Sequence, residues 1–269
     1  MSLSVSATPP PLEGRALAEL RAAFDALENP SLAARLSATI GTPIEALRTG
    51  LPAPLQGTLN KAVRAALTAA MEAALRSAPT RKPAGISSSW LHRGLAAATG
   101  VAGGAFGLAG TLVELPVSTS VLLRQIAAIA AEEGEDLSRP ETSAECLKVF
   151  ALGGRSPSDD AAESGYFALR LALAEAMKGS IGKTLLPGFI AAIAARFVGP
   201  MGLKLSAQAA PIIGAAAGAA INLAFLEHFR GVARGHFTLR RLERLHGAAA
   251  VRSAYESLAA TRDVAFLKA

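Results

Sequence analysis

The sequence predicts an all-α protein, an Ala/Gly-rich helical bundle with closely packed apolar helical hairpins. Three observations carry that expectation. Ala alone is roughly a fifth of the chain, and Ala costs least of all residues in a helix. No stretch alternates apolar and polar residues with the period of two that a half-buried strand requires. Aromatic residues make up only 5% while 25 residues are Gly, so bulk to fill a core is scarce and helix backbones must approach closely. Apolar residues reach 51% and mean hydropathy is +0.35, above the usual soluble share once Gly is added. A chain of 269 residues can bury one large core, or a main domain with an appendage.

In order along the chain, residues 1–11 are expected to be disordered, 12–85 to form an N-terminal helical appendage, and 86–269 to form the main helical domain. The opening MSLSVSATPPPLEGR has no basic stretch leading into an apolar core, so no secretory signal is expected. Between Leu12 and Arg48, short helical pieces are punctuated by Asn29-Pro30 and Gly41-Thr42-Pro43. From Pro54 to Ser77 the residues Leu55, Leu59, Val63, Leu67, Met71 and Leu75 form one apolar stripe on a 3.6-residue period, with Lys61, Arg64 and Arg76 elsewhere. SAPTRKPAG, residues 77–85, is a loop by composition and marks the boundary.

Gly-rich apolar helices follow up to Val113. The next helix carries Pro116 in its first turn, runs to about Glu133 and stops at Gly134. Leu115 precedes that proline and is expected outside helical geometry. A further helix is expected near Glu141 to Leu152, and another opens with Asp159, Asp160 and Glu163 and runs to Lys178. Those three carboxylates suit the positive end of a helix dipole and read as structural. The tail holds TLLPGFIAAIAARFVGP and LSAQAAPIIGAAAGAAINLAFL, then a basic helical region from Glu227.

Two uncharged segments are long enough to cross a bilayer, Gly94–Val113 and Leu205–Leu226. Their content is marginal. The first has six strong apolar residues, about −2 to −4 kcal/mol in all on an insertion scale, against six Gly that weaken an isolated helix by up to about 1 kcal/mol each. The second contains Gln208, Pro211 and Asn222. Gly100/Gly104, Gly103/Gly107 and Gly214/Gly218 stand four apart, as in close helix contacts within lipid or within a protein interior. A buried or re-entrant hairpin and a true span both remain open.

Two separated motifs carry a family resemblance. The first runs from Gly103–Gly110 through Glu114, Pro116, Arg124 and Ile129-Ala130 to Gly134 with Asp136. The second has Pro211, Gly214, Gly218 and Asn222, followed by Ala233, Phe237, Arg240 and Leu242. In this order they resemble the EcsC family, over about Trp90 to Leu245, with little contribution from the N-terminal third. Family members more commonly carry Asp where Glu114 stands and an aromatic where Glu133 stands. The resemblance implies a bacterial protein working at or near the cytoplasmic membrane, in a family named from a gene neighbour of an ABC-type exporter. It implies no particular reaction.

The candidate site residues are Glu114, Arg124 and Asn222. Glu114 is expected beside a helix N-terminus, where its charge gains a few tenths to about 1 kcal/mol; the alternative is a carboxylate in an apolar cleft with a raised pKa. Arg124 is ten residues further on and cannot share its face along one helix. Asn222, in an Ala/Ile/Leu run, must find a hydrogen bond if buried. Cys146 is the single cysteine, which leaves no disulfide or Cys-based zinc cluster, and it reads as a buried thiol. His228, His236 and His246 show no metal-ligand spacing. GSIGKT, residues 179–184, lacks the first P-loop glycine, since Met177 stands there. Neither a G-x-S-x-G nor an HExxH motif occurs.

The net charge of +6 and pI near 9.9 suit an anionic surface. The basic run Arg230, Arg234, Arg240, Arg241 and Arg244 directly follows an apolar segment, and Arg230, Arg234 and Arg241 are the candidates for a membrane surface. A solvated helix face is the plain alternative. No DNA-binding motif accompanies these residues, so no nucleic-acid partner is expected. The expectation is a non-enzymatic accessory protein, cytoplasmic or peripheral on the inner membrane face, meeting lipid or a membrane protein and linked to an ABC-type transporter, with no cofactor or metal. The alternative is an enzyme or ligand-binding protein using an apolar interhelical cleft around Glu114, Arg124 and Asn222.

Overall fold

A computed structural model describes residues 12–28, 32–41, 53–76, 115–154, 165–177, 187–209 and 215–267. Among them nine helices and no strand occur, so the fold is all-α as expected. They are α1 (Gly14–Glu28), α2 (Leu32–Ile40), α3 (Ala53–Arg76), α4 (115–132), α5 (Pro140–Leu152), α6 (Gly165–Met177), α7 (Pro187–Ala209), α8 (Ala215–His246) and α9 (Ala248–Leu267). The loop at 77–85, the segment Gly94–Val113 and residue Glu114 lie outside the described residues.

The apolar stripes decide which helix faces turn inward. In α1, Leu20, Ala23, Phe24 and Leu27 are buried, a spacing of three and four. In α3 the expected stripe is seen directly, with Leu59, Val63, Leu67 and Met71 all at 1% exposure or less. α5 differs: every residue from Ala144 to Leu152 is buried, so it runs through the interior. Among the described residues α8 is the longest helix, 32 residues or about 48 Å at the helical rise. α1, α2, α5, α7 and α9 all pack on it, while α3 lies against α7 and α5. The buried apolar residues form one core that includes α1, α2 and α3.

Local chemistry fixes the helix ends. α4 stops at Gly134, whose φ of 81° is left-handed. Glu135 N–H donates to the Ala130 carbonyl at 2.9 Å and Gly134 N–H to Ala131 at 3.1 Å, the two-bond glycine cap. Leu115 is helical and fully buried, contrary to the expectation drawn from Pro116. α5 starts with Pro140 behind an extended Arg139, and α8 ends at Gly247, φ 87°.

Scarce aromatics are concentrated where α5, α7 and α8 meet. Phe150 and Phe197 lie 4.8 Å apart between centroids, Phe197 and Phe229 5.5 Å, and Phe225 and Phe229 4.9 Å. Close backbone approach fills the rest. α7 contains Pro200, which cannot donate to the carbonyl of Arg196 four residues back. Gly154 sits against that freed carbonyl, so close that a Cβ there would lie 2.2 Å from the Arg196 oxygen. Gly235 gives α8 its approach to α1, where a Cβ would stand 2.9 Å from the Ala23 carbonyl. Of the glycine pairs singled out above, Gly218 is described, and it is buried in α8.

Leu205–Leu226 is divided: its first residues end α7 and its last belong to α8. Lys204 Nζ lies 5.5 Å from the Phe225 ring centroid, whereas 21 residues of straight helix would separate these positions by about 31 Å. The two helices therefore fold back on one another. α7 itself, over Pro187–Ala207, is long and apolar enough to cross a membrane, with half of that window buried in the protein.

Candidate functional site

The chemistry-bearing side chains gather along α8. His236 is fully buried; its Nε2 lies 3.1 Å from Glu145 Oε2 on α5, and its Nδ1 2.8 Å from the Tyr166 hydroxyl on α6. These partners assign one neutral tautomer: Nε2–H donates to the carboxylate and Nδ1 accepts from the phenol. Glu145 Oε1 also accepts from Lys148 Nζ at 2.8 Å, and Arg240 Nη1 stands 3.4 Å from it. Burial works to raise the Glu145 carboxyl, but the hydrogen bond from His236 and the Lys148 and Arg240 charges outweigh it and hold the group well below the usual carboxylate range. Burial lowers His236 against the Glu145 hydrogen bond, and burial raises the Tyr166 hydroxyl.

A carboxylate, an imidazole and a hydroxyl in line is the geometry that activates nucleophiles. Here the hydroxyl is at 0% exposure, with Phe167 and Tyr255 rings 5.1 and 5.8 Å from the Tyr166 ring. No substrate reaches it. The line works as a polar stitch across α5, α6 and α8, and every member is satisfied, the condition for such a network to stabilise a core.

A seam of ion pairs continues from the stitch to the surface. Arg240 forks onto Glu135 at 2.8 and 3.2 Å, and Arg244 pairs with the same carboxylate while donating to the Glu133 carbonyl at 2.6 Å. Arg241 bridges Glu133 at 2.6 Å and Glu19 of α1 at 3.0 Å. Arg170 of α6 meets Glu243 bidentately at 2.7 and 2.8 Å. His228, higher on α8, donates from Nε2 to the Gly153 carbonyl at 2.8 Å and so caps the end of α5. Burial drives its pKa down to about 4. Cys146 is buried in α5, its thiol pushed up to about 12 by burial and the nearby Glu145 and Glu135 charges.

A second feature lies toward the other end of α8. A cleft of about 260 Å³, its open mouth included, forms between α4, α7 and α8. Ser118, Val121 and Leu122 line it from α4, Lys204 from α7, and Asn222 and Phe225 from α8. Lys204 is only 1% exposed. Exposed Val117 stands one turn before Val121, and exposed Leu223 one turn before Leu226, which also lines the cleft.

Of the three cleft residues named from sequence, Asn222 lines this cleft, Arg124 is exposed on α4 and is not among the lining residues, and Glu114 lies outside the described residues. The membrane-surface candidates have carboxylate partners within the chain. Arg230 is half-buried beside Glu227, Arg234 pairs with Glu132 at 2.9 Å, and Arg241 holds Glu133 and Glu19. Glu145, Lys148, Tyr166 and Lys204 were missed. Their signal was a charge or hydroxyl embedded in apolar chain, as in AECLKVF and GLKLSA, which once buried demands a partner.

Fold and seam together define a helical bundle clamped by internal ion pairs around one long helix. The EcsC protein family model matches residues 15–242, and the chain belongs to that family. The match starts in α1 and so takes in the segment that sequence reading set apart as an appendage. No curated protein and no solved structure matches the chain.

Proposed function

We propose that this EcsC-family chain is a non-enzymatic accessory protein that contacts membrane lipid through the outward face of α7. The observation that supports the reading is the chemistry of that face. Gly188, Ala192, Ala195, Gly199, Gly202 and Ser206 recur every three or four residues, all exposed or half-exposed. Lys204 is turned into the protein, and among the described residues of α7 Arg196, half-buried, is the one other charge. A solvated helix normally carries charge on its outer face; this one is bland for 21 residues. The arginines of α8 are engaged by carboxylates, so the contact rests on apolar surface rather than on charge.

The contact is shallow. Val198 and Leu203 are the large apolar side chains near this face, half-exposed, and full burial of each would gain about 1.5–3 kcal/mol at most. Small residues also admit a close helix partner, which favours a second reading in which the same face meets a membrane protein such as a transporter. Flotation with protein-free vesicles separates the two. The chain should float with them, and Ala195→Glu, a charge at an exposed position, should abolish flotation while leaving thermal unfolding unchanged. Absence of flotation by the native chain overturns the lipid reading.

A further inference from the structure

We propose that the joint where α5 ends against α7 and α8 is an acid-sensitive latch: protonation of His228 opens it and deepens the lipid contact of α7. The second half of this inference rests on the lipid reading, and the first half does not. Three contacts close the joint. Gly153 lies so near the Phe229 ring of α8 that a Cβ would meet it at 2.4 Å, and Gly154 sits on the Arg196 carbonyl of α7 beside Pro200. The third contact is polar: His228 Nε2–H donates to the Gly153 carbonyl at 2.8 Å.

His228 is 3% exposed, and its Nδ1 is buried with no hydrogen-bond partner among the described residues. A proton added there finds no acceptor. Among the described residues α5 offers the ring the Gly153 carbonyl, and the charge acting on it is the Arg35 guanidinium of α2, a cation. Glu227 and Arg230, its neighbours on α8, pair with each other. Burial, with Arg35 in the same sense and the Gly153 bond against it, lowers the ring's pKa to about 4. His236, further along α8, is the contrast: Glu145 and Tyr166 occupy both of its ring nitrogens, so a proton there has a carboxylate to balance it. Charging His228 drives its ring toward water, because an uncompensated buried charge costs more than one hydrogen bond returns. Phe229 is next in the chain, and the Phe150, Phe197 and Phe229 rings, each at 0% exposure, pack together behind the joint. Opening it frees the inner side of α7 around Phe197 for lipid.

The test is amide hydrogen exchange of the full chain by mass spectrometry at pH 8 and pH 5, corrected for intrinsic exchange, with and without low urea. A freed ring titrates at about 6.5, so opening over residues 145–154 and 190–205 should become about thirtyfold more frequent at pH 5. A local opening exposes little surface, so urea should scarcely speed it. His228→Gln, which keeps a donor for Gly153 and cannot titrate, should erase the pH effect. Arg35→Glu, at an exposed position, should shrink it by placing an anion near the ring, and decides the matter if His228→Gln does not fold. Flotation with phosphatidylcholine vesicles, whose headgroup does not titrate in this range, should rise from pH 8 to pH 5 in the native chain and stay level in His228→Gln. Exchange that follows urea as steeply as global unfolding, or a pH effect unchanged in both variants, overturns the latch. Local opening with flotation equal at the two pH values overturns its link to lipid. Flotation at neither pH removes the lipid reading alone.

Discussion

The two halves of α8 are built on opposite principles. Over 230–246 the helix is strongly basic, and its arginines are met by Glu132, Glu133, Glu135, Glu19 and Glu227. Over 215–229 it is nearly uncharged, and its buried side chains include Ile221, Asn222, Phe225, Leu226, His228 and Phe229. The charged half is closed, because its side chains find their partners inside the chain. The bland half borders a cleft and the helix whose outer face lacks a charged stripe. Density of charge in a sequence thus says little about where a protein meets its surroundings; what matters is whether the charges are already used.

That contrast can be broken at several points. The largest effect is expected in the stitch. Glu145→Leu leaves Lys148, 3% exposed, without its carboxylate, and breaking a buried pair costs about 3–5 kcal/mol. Denaturant unfolding should show this loss, and adding Lys148→Met should recover much of it, since an apolar replacement of both partners is often neutral. Recovery of nothing would mean that the hydrogen bond to His236 dominates.

Next comes pH. His228 is buried neutral, facing the Gly153 carbonyl with the Arg35 charge nearby, and titrates at about 4 when folded against about 6.5 when unfolded. Below pH 6.5 the unfolded chain takes the extra proton, so this stability is complete above about 6.5 and is lost as pH falls toward 4, by about 3 kcal/mol in all. His236, lowered by burial as well, adds in the same direction. Glu145 adds its own loss below the ordinary carboxylate range. Stability curves of His228→Phe should be flatter between pH 6.5 and 4 than those of the native chain; equal slopes would show that His228 is not held neutral.

Gly154→Ala places a Cβ 2.2 Å from the Arg196 carbonyl, and overpacking of this kind costs about 1–3 kcal/mol. Calorimetry should show the lowered Tm; an unchanged value would mean that α7 shifts freely at Pro200. The smallest effect belongs to Arg234→Ala. Its pair with Glu132 is more than half exposed on both sides, so about 0–1 kcal/mol is expected.

Sequence reading reached the features that are local. The stripe Leu59, Val63, Leu67 and Met71 repeats within one helix, and α4 ends at Gly134 through the bonds of Gly134 N–H to Ala131 and of Glu135 N–H to Ala130. Both are written into short windows. The seam was illegible for the opposite reason: Arg234 finds Glu132 across 102 residues and Arg241 finds Glu19 across 222. Without a fold, EEGED looks like a polar turn and the arginines like a membrane-facing run. Asn222 was legible as a polar residue in apolar chain, but Lys204, equally isolated in GLKLSA, was overlooked because a lysine is ordinarily solvated.

The most direct measurement is vesicle co-sedimentation of the native chain and of Arg230→Ala/Arg234→Ala across a salt series. The account predicts that both proteins bind equally and that salt does not release them, since the contact is apolar and those arginines are paired internally. Binding that falls with salt and disappears in the double variant would contradict it and return the charged half of α8 to the membrane.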